Sequence, residues 1–247
     1  AVVEQPPEPK TPEVFGERRY ASWPAGRDGT PPRNREADRP PPVFACLFAA
    51  PLAWQDASGD LHGIEALDAD AERNAISTAL EDRRSCRDAK DRVDLSFEAA
   101  TTDALQSAIT RGCAALHYSG HGHPQCLTFE DGRGGLQPVP PSQLRSLVAR
   151  RPPKLAVVSA CHSRRAADAL VEAGCAHVVA VSLDAPLLDA AAVAFTRAFY
   201  LALAVGDTVA AAFSVGVEAV AASPRVAGAA SDAGKGDKFE LLPLGGD

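Results

Sequence analysis

The stretch 113-CAALHYSGHGHPQC-126 decides how the rest of the chain is read. Its first half, Cys113 to Ser119, is an apolar run of strand length. Its second half has turn chemistry and sets His121 between Gly120 and Gly122, followed by His123 and Cys126. Small neighbours leave the His121 imidazole unobstructed at the tip of the strand. A second stretch, 155-LAVVSACHSRRAA-167, repeats the plan with an apolar strand that ends at Cys161 and runs into a helical pattern.

Outward from these two stretches, strand and helix patterns alternate. The segment 43-VFACLFAA-50 is a continuous apolar run of the kind covered on both faces. Leu67, Ala71, Ala75, Ile76, Ala79 and Leu80 recur at helical spacing, with acids at the start and 81-EDRR-84 at the end, as the helix dipole prefers. Residues 92–99 predict a strand, and residues 101–112 a capped helix closed by Gly112. Residues 126–139 have the turn residues of a short hairpin. Further strands are expected at 152–160, 176–183 and 238–244, and helices at 164–174, 189–205 and 207–222. This alternation predicts an α/β fold with a mainly parallel sheet of about six strands and helices on both faces. Working residues in such sheets sit beyond the C-terminal strand ends, where both quoted stretches fall.

Composition narrows the field. A formal net charge of −7 is a poor match for a duplex-binding domain, which needs a basic face to displace counterions. The six cysteines are dispersed without a CxxC pair, which in a chain of 247 residues favours reduced thiols and an intracellular location. No signal-peptide pattern is visible, and the Ala-rich stretch from Ala190 to Ala222 is broken by Arg197, Gly206, Asp207 and Glu218, so no membrane span is expected. Residues 1–41 hold nearly half of the 20 prolines and few aliphatics. Such a segment cannot offset its ordering entropy, and it is expected to be a disordered linker or N-terminal extension before a domain at 42–247. A chain without any Met fits a fragment or a processed product.

Cys161 and His121 together could form a nucleophile and its base. A thiol reacts as the thiolate, and an adjacent imidazole both lowers its pKa and moves the proton. The turn after a strand and before a helix offers N–H groups to negative charge, and the Gly122 N–H could serve a developing oxyanion. Three plainer readings stand beside this one. Cys161 could be a small buried hydrophobe. His117, His121, His123 and Cys126 could hold zinc, although their spacing matches no standard finger. The Gly-His-Gly run could be an ordinary tight turn.

The two stretches, with 67-LDADAERNAISTAL-80, 127-LTFEDGRGG-135, 173-AGCAHVVAVS-182 and 189-DAAAVAFTRAFYLALAVGDTVAAAF-213 in the same order, resemble the CHAT branch of the caspase-like cysteine peptidases over about 200 residues. The resemblance implies a caspase-like three-layer sandwich and a cysteine endopeptidase acting through a Cys–His dyad. It places the general base on His121, the nucleophile on Cys161 and the oxyanion donors on the N–H groups of Gly122 and Cys161. It implies no metal and no organic cofactor. Metacaspases carry an Asp two residues before the cysteine that helps to hold a basic P1 side chain; here that position is Ser159. Asp189 matches an acidic position common in CHAT sequences, and Asp184 lies just before it, so Ser159, Asp184 and Asp189 are the candidate substrate-binding residues, with a helix N-cap as the plainer role for Asp189. His117 is expected to be bonded within the core and His162 to have a structural role. The implied partners are a protein or peptide substrate and, in a longer protein, sensor, repeat or nucleotide-binding modules; neither nucleic acid nor membrane is expected. The implied role is a regulated effector of signalling or defence, and the alternative is a catalytically silent interaction module on the same fold.

Overall fold

The computed structural model describes residues 41–84, 93–182, 189–227 and 238–243. All but the last residue of the Pro-rich segment expected at 1–41 lies outside the described residues, and so does Asp184.

Strand β1 (Val43–Phe48) leads through a small hairpin of β2 (Ala53–Gln55) and β3 (Leu61–Gly63) to helix α1 (Ala69–Arg84). Then come β4 (Asp94–Ala99), α2 (Thr102–Arg111) and β5 (Ala115–Ser119). β6 (Gly122–His123), β7 (Cys126–Glu130) and β8 (Leu136–Val139) form a separate antiparallel sheet. α3 (Pro141–Val148), β9 (Leu155–Ser159), α4 (Arg164–Glu172), β10 (His177–Val181), α5 (Asp189–Val205), α6 (Val209–Ala222), α7 (Pro224–Ala227) and β11 (Phe239–Leu242) complete the order.

The central sheet has six strands in the order β11-β10-β9-β5-β1-β4. All neighbours are parallel except β10 and β11, which pair antiparallel at one edge. The expected α/β architecture is therefore present. β9 is buried at every position and β10 at all but its first, which is why their sequences are continuous apolar runs rather than alternating ones. β4, at the free edge, is only partly covered and reads DLSFEA.

Alternate side chains of each strand feed two separate cores. Ala45, Leu47, Leu116, Tyr118, Ala156 and Val158 pack with α2, α3 and α4. Phe44, Cys46, Val157, Val179 and Phe239 pack with α1, α5 and α6. Three layers result. Local signals start and stop the helices: the Thr101 hydroxyl accepts from the Ala104 N–H at 3.1 Å at the head of α2, and Gly112 ends it with φ of 80°. No helix among the described residues is long and apolar enough to cross a membrane.

Candidate functional site

β5 and β9 are neighbours in the sheet, and their last residues, Ser119 and Ser159, are register partners. The chain after β5 carries His121 and the chain after β9 carries Cys161, so sheet pairing brings two distant segments to one edge. The His121 loop is pinned from three sides. The Gly120 N–H donates to the Ser159 carbonyl at 3.2 Å, and the Thr128 hydroxyl donates to the His121 carbonyl at 2.6 Å. Thr128 is in turn held by the Tyr118 hydroxyl, which donates to its carbonyl at 2.9 Å. Gly122 then runs against the Cys161 backbone so closely that a Cβ there would lie 1.6 Å from the Cys161 carbonyl oxygen. Only glycine permits that approach.

Cys161 itself lies in the turn between β9 and α4. The next residue, His162, has φ of 56°, a left-handed conformation uncommon for any residue but glycine. Ser163, below it, is buried; its hydroxyl donates to the Val158 carbonyl at 3.1 Å and accepts from the Val181 N–H at 2.9 Å. The turn is thus anchored to two strands while Cys161 stays half-buried at the surface.

The His121 ring is oriented by a group the sequence reading did not foresee. Its Nε2 lies 2.6 Å from the Glu65 carbonyl oxygen. A carbonyl can only accept, so Nε2 carries the hydrogen and, in the neutral ring, Nδ1 keeps the lone pair. Glu65 follows β3, in a segment tied back by the Ile64 N–H donating to the Leu52 carbonyl at 3.0 Å. Every residue has a carbonyl, so no sequence signal marks this one.

His121, Gly122 and Cys161 share a cavity of about 110 Å³ with Leu67, Asp68, Glu72, Ser119, Ser159 and Asp189. Glu72 in its wall was also missed. Its carboxylate accepts from the Ser119 hydroxyl at 2.6 Å and from the Thr196 hydroxyl at 2.9 Å, and the nearby Ser159 hydroxyl helps to stabilise its charge. His117 Nε2 stands 3.3 Å from the same carboxylate without a well-directed hydrogen bond, while its Nδ1 pairs with the Tyr200 hydroxyl at 2.9 Å. Burial alone would raise the Glu72 pKa, but the His117 imidazole and the serine hydroxyls outweigh it and hold the carboxyl below its ordinary range. A signal did exist: Glu72 precedes Ile76 by four residues and so lies on the apolar stripe of α1, not on its polar face.

The other singled-out residues fall as follows. Asp189 is the first residue of α5 and lines the cavity, as does Ser159. His117 is a fully buried strand residue bonded within the core. His123 turns to Cys126, with Nδ1 and Sγ 3.8 Å apart. The three imidazoles near the tip therefore face three different partners, and no cluster of three or more metal-ligating side chains occurs among the described residues. None of the five described cysteines is in a disulfide. Cys46, Cys113 and Cys175 are buried, and burial pushes their thiols up, to about 11 for Cys113 and about 12 for Cys175.

Three comparisons bear on this arrangement. No curated protein matches the chain. Among solved structures, the Arg-specific cysteine proteinase gingipain R is 14% identical with a TM-score of 0.46, over 71% of this chain and 42% of that one. A complex of the pro- and mature domains of RgpB from Porphyromonas gingivalis is 13% identical with a TM-score of 0.44, over 72% and 43%. Pyridoxal kinase from Bacillus subtilis is 11% identical with a TM-score of 0.36, over 74% and 91%. The chain thus spans less than half the length of the two proteinase structures. The family model of the CHAT domain matches residues 19–230, and the chain belongs to the CHAT family.

Proposed function

We propose that this domain is a cysteine endopeptidase, working through Cys161 and His121 as a regulated effector within a longer protein. The observation that carries the reading is the convergence of His121, Gly122 and Cys161 on one cavity, with the His121 ring held by the Glu65 carbonyl so that Nδ1 is its basic nitrogen. His121 Nδ1 takes the Cys161 proton, and the thiolate attacks the carbonyl carbon of the scissile bond. The N–H groups of Gly122 and Cys161 receive the oxyanion. His121 returns the proton to the leaving amine, giving a thioester. Water, deprotonated by the same imidazole, then releases the carboxylate product and the free thiol. The side chain preceding the scissile bond enters the cavity, where Ser159 and Asp189 are the candidate contacts.

The test treats wild type, Cys161→Ala and His121→Ala with an electrophile directed at cysteine peptidases and maps adducts by mass spectrometry. Labelling concentrated on Cys161 and strongly reduced in His121→Ala is expected. Slow labelling spread over all accessible thiols, unaltered by loss of His121, would favour the silent interaction module instead.

A further inference from the structure

Glu72 contradicts the ordinary economy of a protein interior. Its carboxylate is 4% exposed on the apolar stripe of α1, where a hydrophobic side chain would avoid the cost of removing a charge from water. Its partners show what the charge accomplishes. Ser119 and Ser159 end β5 and β9, face each other in register, and each precedes a member of the His121–Cys161 pair by two residues. The Ser119 hydroxyl donates to the carboxylate at 2.6 Å, and the Ser159 hydroxyl lies near enough to help stabilise its charge. Thr196 brings α5 to the same group at 2.9 Å. Hydroxyl bonds to a carboxylate are shorter and stronger than bonds between neutral groups, so a single ionised side chain ties the end of β5 to two helices, with the register-paired end of β9 beside it.

We propose that Glu72 is a positioning residue: by holding Ser119, the register partner of Ser159, it sets the spacing and orientation of the His121 and Cys161 loops. The role rests on the peptidase reading of that pair. His117 on β5 faces the same carboxylate at 3.3 Å, and the other titratable groups lining the cavity are Asp68, His121, Cys161 and Asp189.

The experiment measures alkylation of Cys161 by iodoacetamide across about pH 5 to 9 in the full chain, read at that residue by mass spectrometry, beside the thermal unfolding midpoint. In Glu72→Gln the rate near neutral pH is expected to fall about tenfold and the profile to move toward that of His121→Ala, because small misplacements of reacting groups are costly. A lowered midpoint with an unchanged profile would make Glu72 merely structural and overturn the proposal. An unchanged profile with an altered KM or altered side-chain preference in peptide hydrolysis would assign Glu72 to substrate contact and overturn it too. Should Glu72→Gln not fold, Ser119→Ala carries the test. It removes the tie and leaves the carboxylate; a partial shift supports the role, and a wild-type profile refutes it. Wild-type Cys161 reacting no faster than in His121→Ala is a different result: it sinks the peptidase reading, and the positioning role falls with it.

Discussion

The two helical layers cover the same sheet with different materials. Against one face, α2, α3 and α4 place Leu105, Ile109, Leu144, Val148, Ala167 and Leu170, all apolar, with buried Ser163 at the head of α4. Against the other, α1, α5 and α6 place Ile76, Phe195, Phe199 and Tyr200, and the same layer also buries Glu72, His117 and Thr196. The difference teaches where this molecule accepts the cost of buried polarity. The carboxylate and its hydroxyls lie toward the C-terminal ends of β5 and β9, where they wall the cavity, and the imidazole sits just below. The opposite face serves as a support for those strands.

The strongest way to break this contrast is a matched pair of core truncations. Leu105→Ala is expected to cost about 2–5 kcal/mol and Phe199→Ala about 3–5 kcal/mol in denaturant unfolding. Their effects on Cys161 should differ. The Phe199 ring packs edge-on against Tyr200 at 5.1 Å between centroids, and Tyr200 holds His117 beside Glu72, so Phe199→Ala should also slow Cys161 alkylation. Leu105→Ala should not. Equal slowing in both would mean that the layers are not functionally distinct.

A second variant sharpens the comparison at the strand ends. Gly122→Ala places a Cβ 1.6 Å from the Cys161 carbonyl oxygen, so one loop must move. Alkylation of Cys161 by a peptidase-directed electrophile should fall about 100-fold, with a smaller loss of stability because the contact lies at the surface end of the sheet. A near-wild-type rate would show that the close approach is dispensable.

The smallest expected effect is in acid. The Glu72 carboxyl is held below the ordinary glutamate value of 4.5, so its contribution to stability is present above that pH and is lost as pH falls through its folded value. Urea midpoints followed downward from pH 5 should therefore decline less steeply in Glu72→Gln than in wild type. Asp56 and Asp131, whose carboxyls are also lowered by hydrogen bonds, remain in the variant, so some slope persists. Parallel slopes would mean that Glu72 is not ionised in the folded state.

Much of the architecture was legible in the linear chain because its signals are local. The run 155-LAVVS-159 is continuously apolar, and it forms a strand buried at every position. Thr101 and Gly112 bracket α2 through bonds that span three or four residues. His121 and Cys161 were legible as a pair because both follow strands and both stand among turn residues. Glu72 was overlooked because acids early in a helix are ordinarily read as complements to its dipole, and that reading ignores which face they occupy.

The sequence by itself determined the order of the strands of the central sheet and of the helices α1, α2, α4, α5 and α6, the caps of α2, and the two segments that carry the sulfur and the imidazole, since hydrophobic period and turn chemistry are properties of neighbours along the chain. The β2–β3 hairpin, α3 and α7 were not foreseen. Only the tertiary structure decided that Ser119 meets Ser159 in register, that the Glu65 carbonyl meets the His121 ring from 56 residues away, and that the Thr196 hydroxyl meets Glu72 across 124 residues. Such contacts follow from which surfaces pack together to remove apolar area from water, and no local pattern encodes that choice.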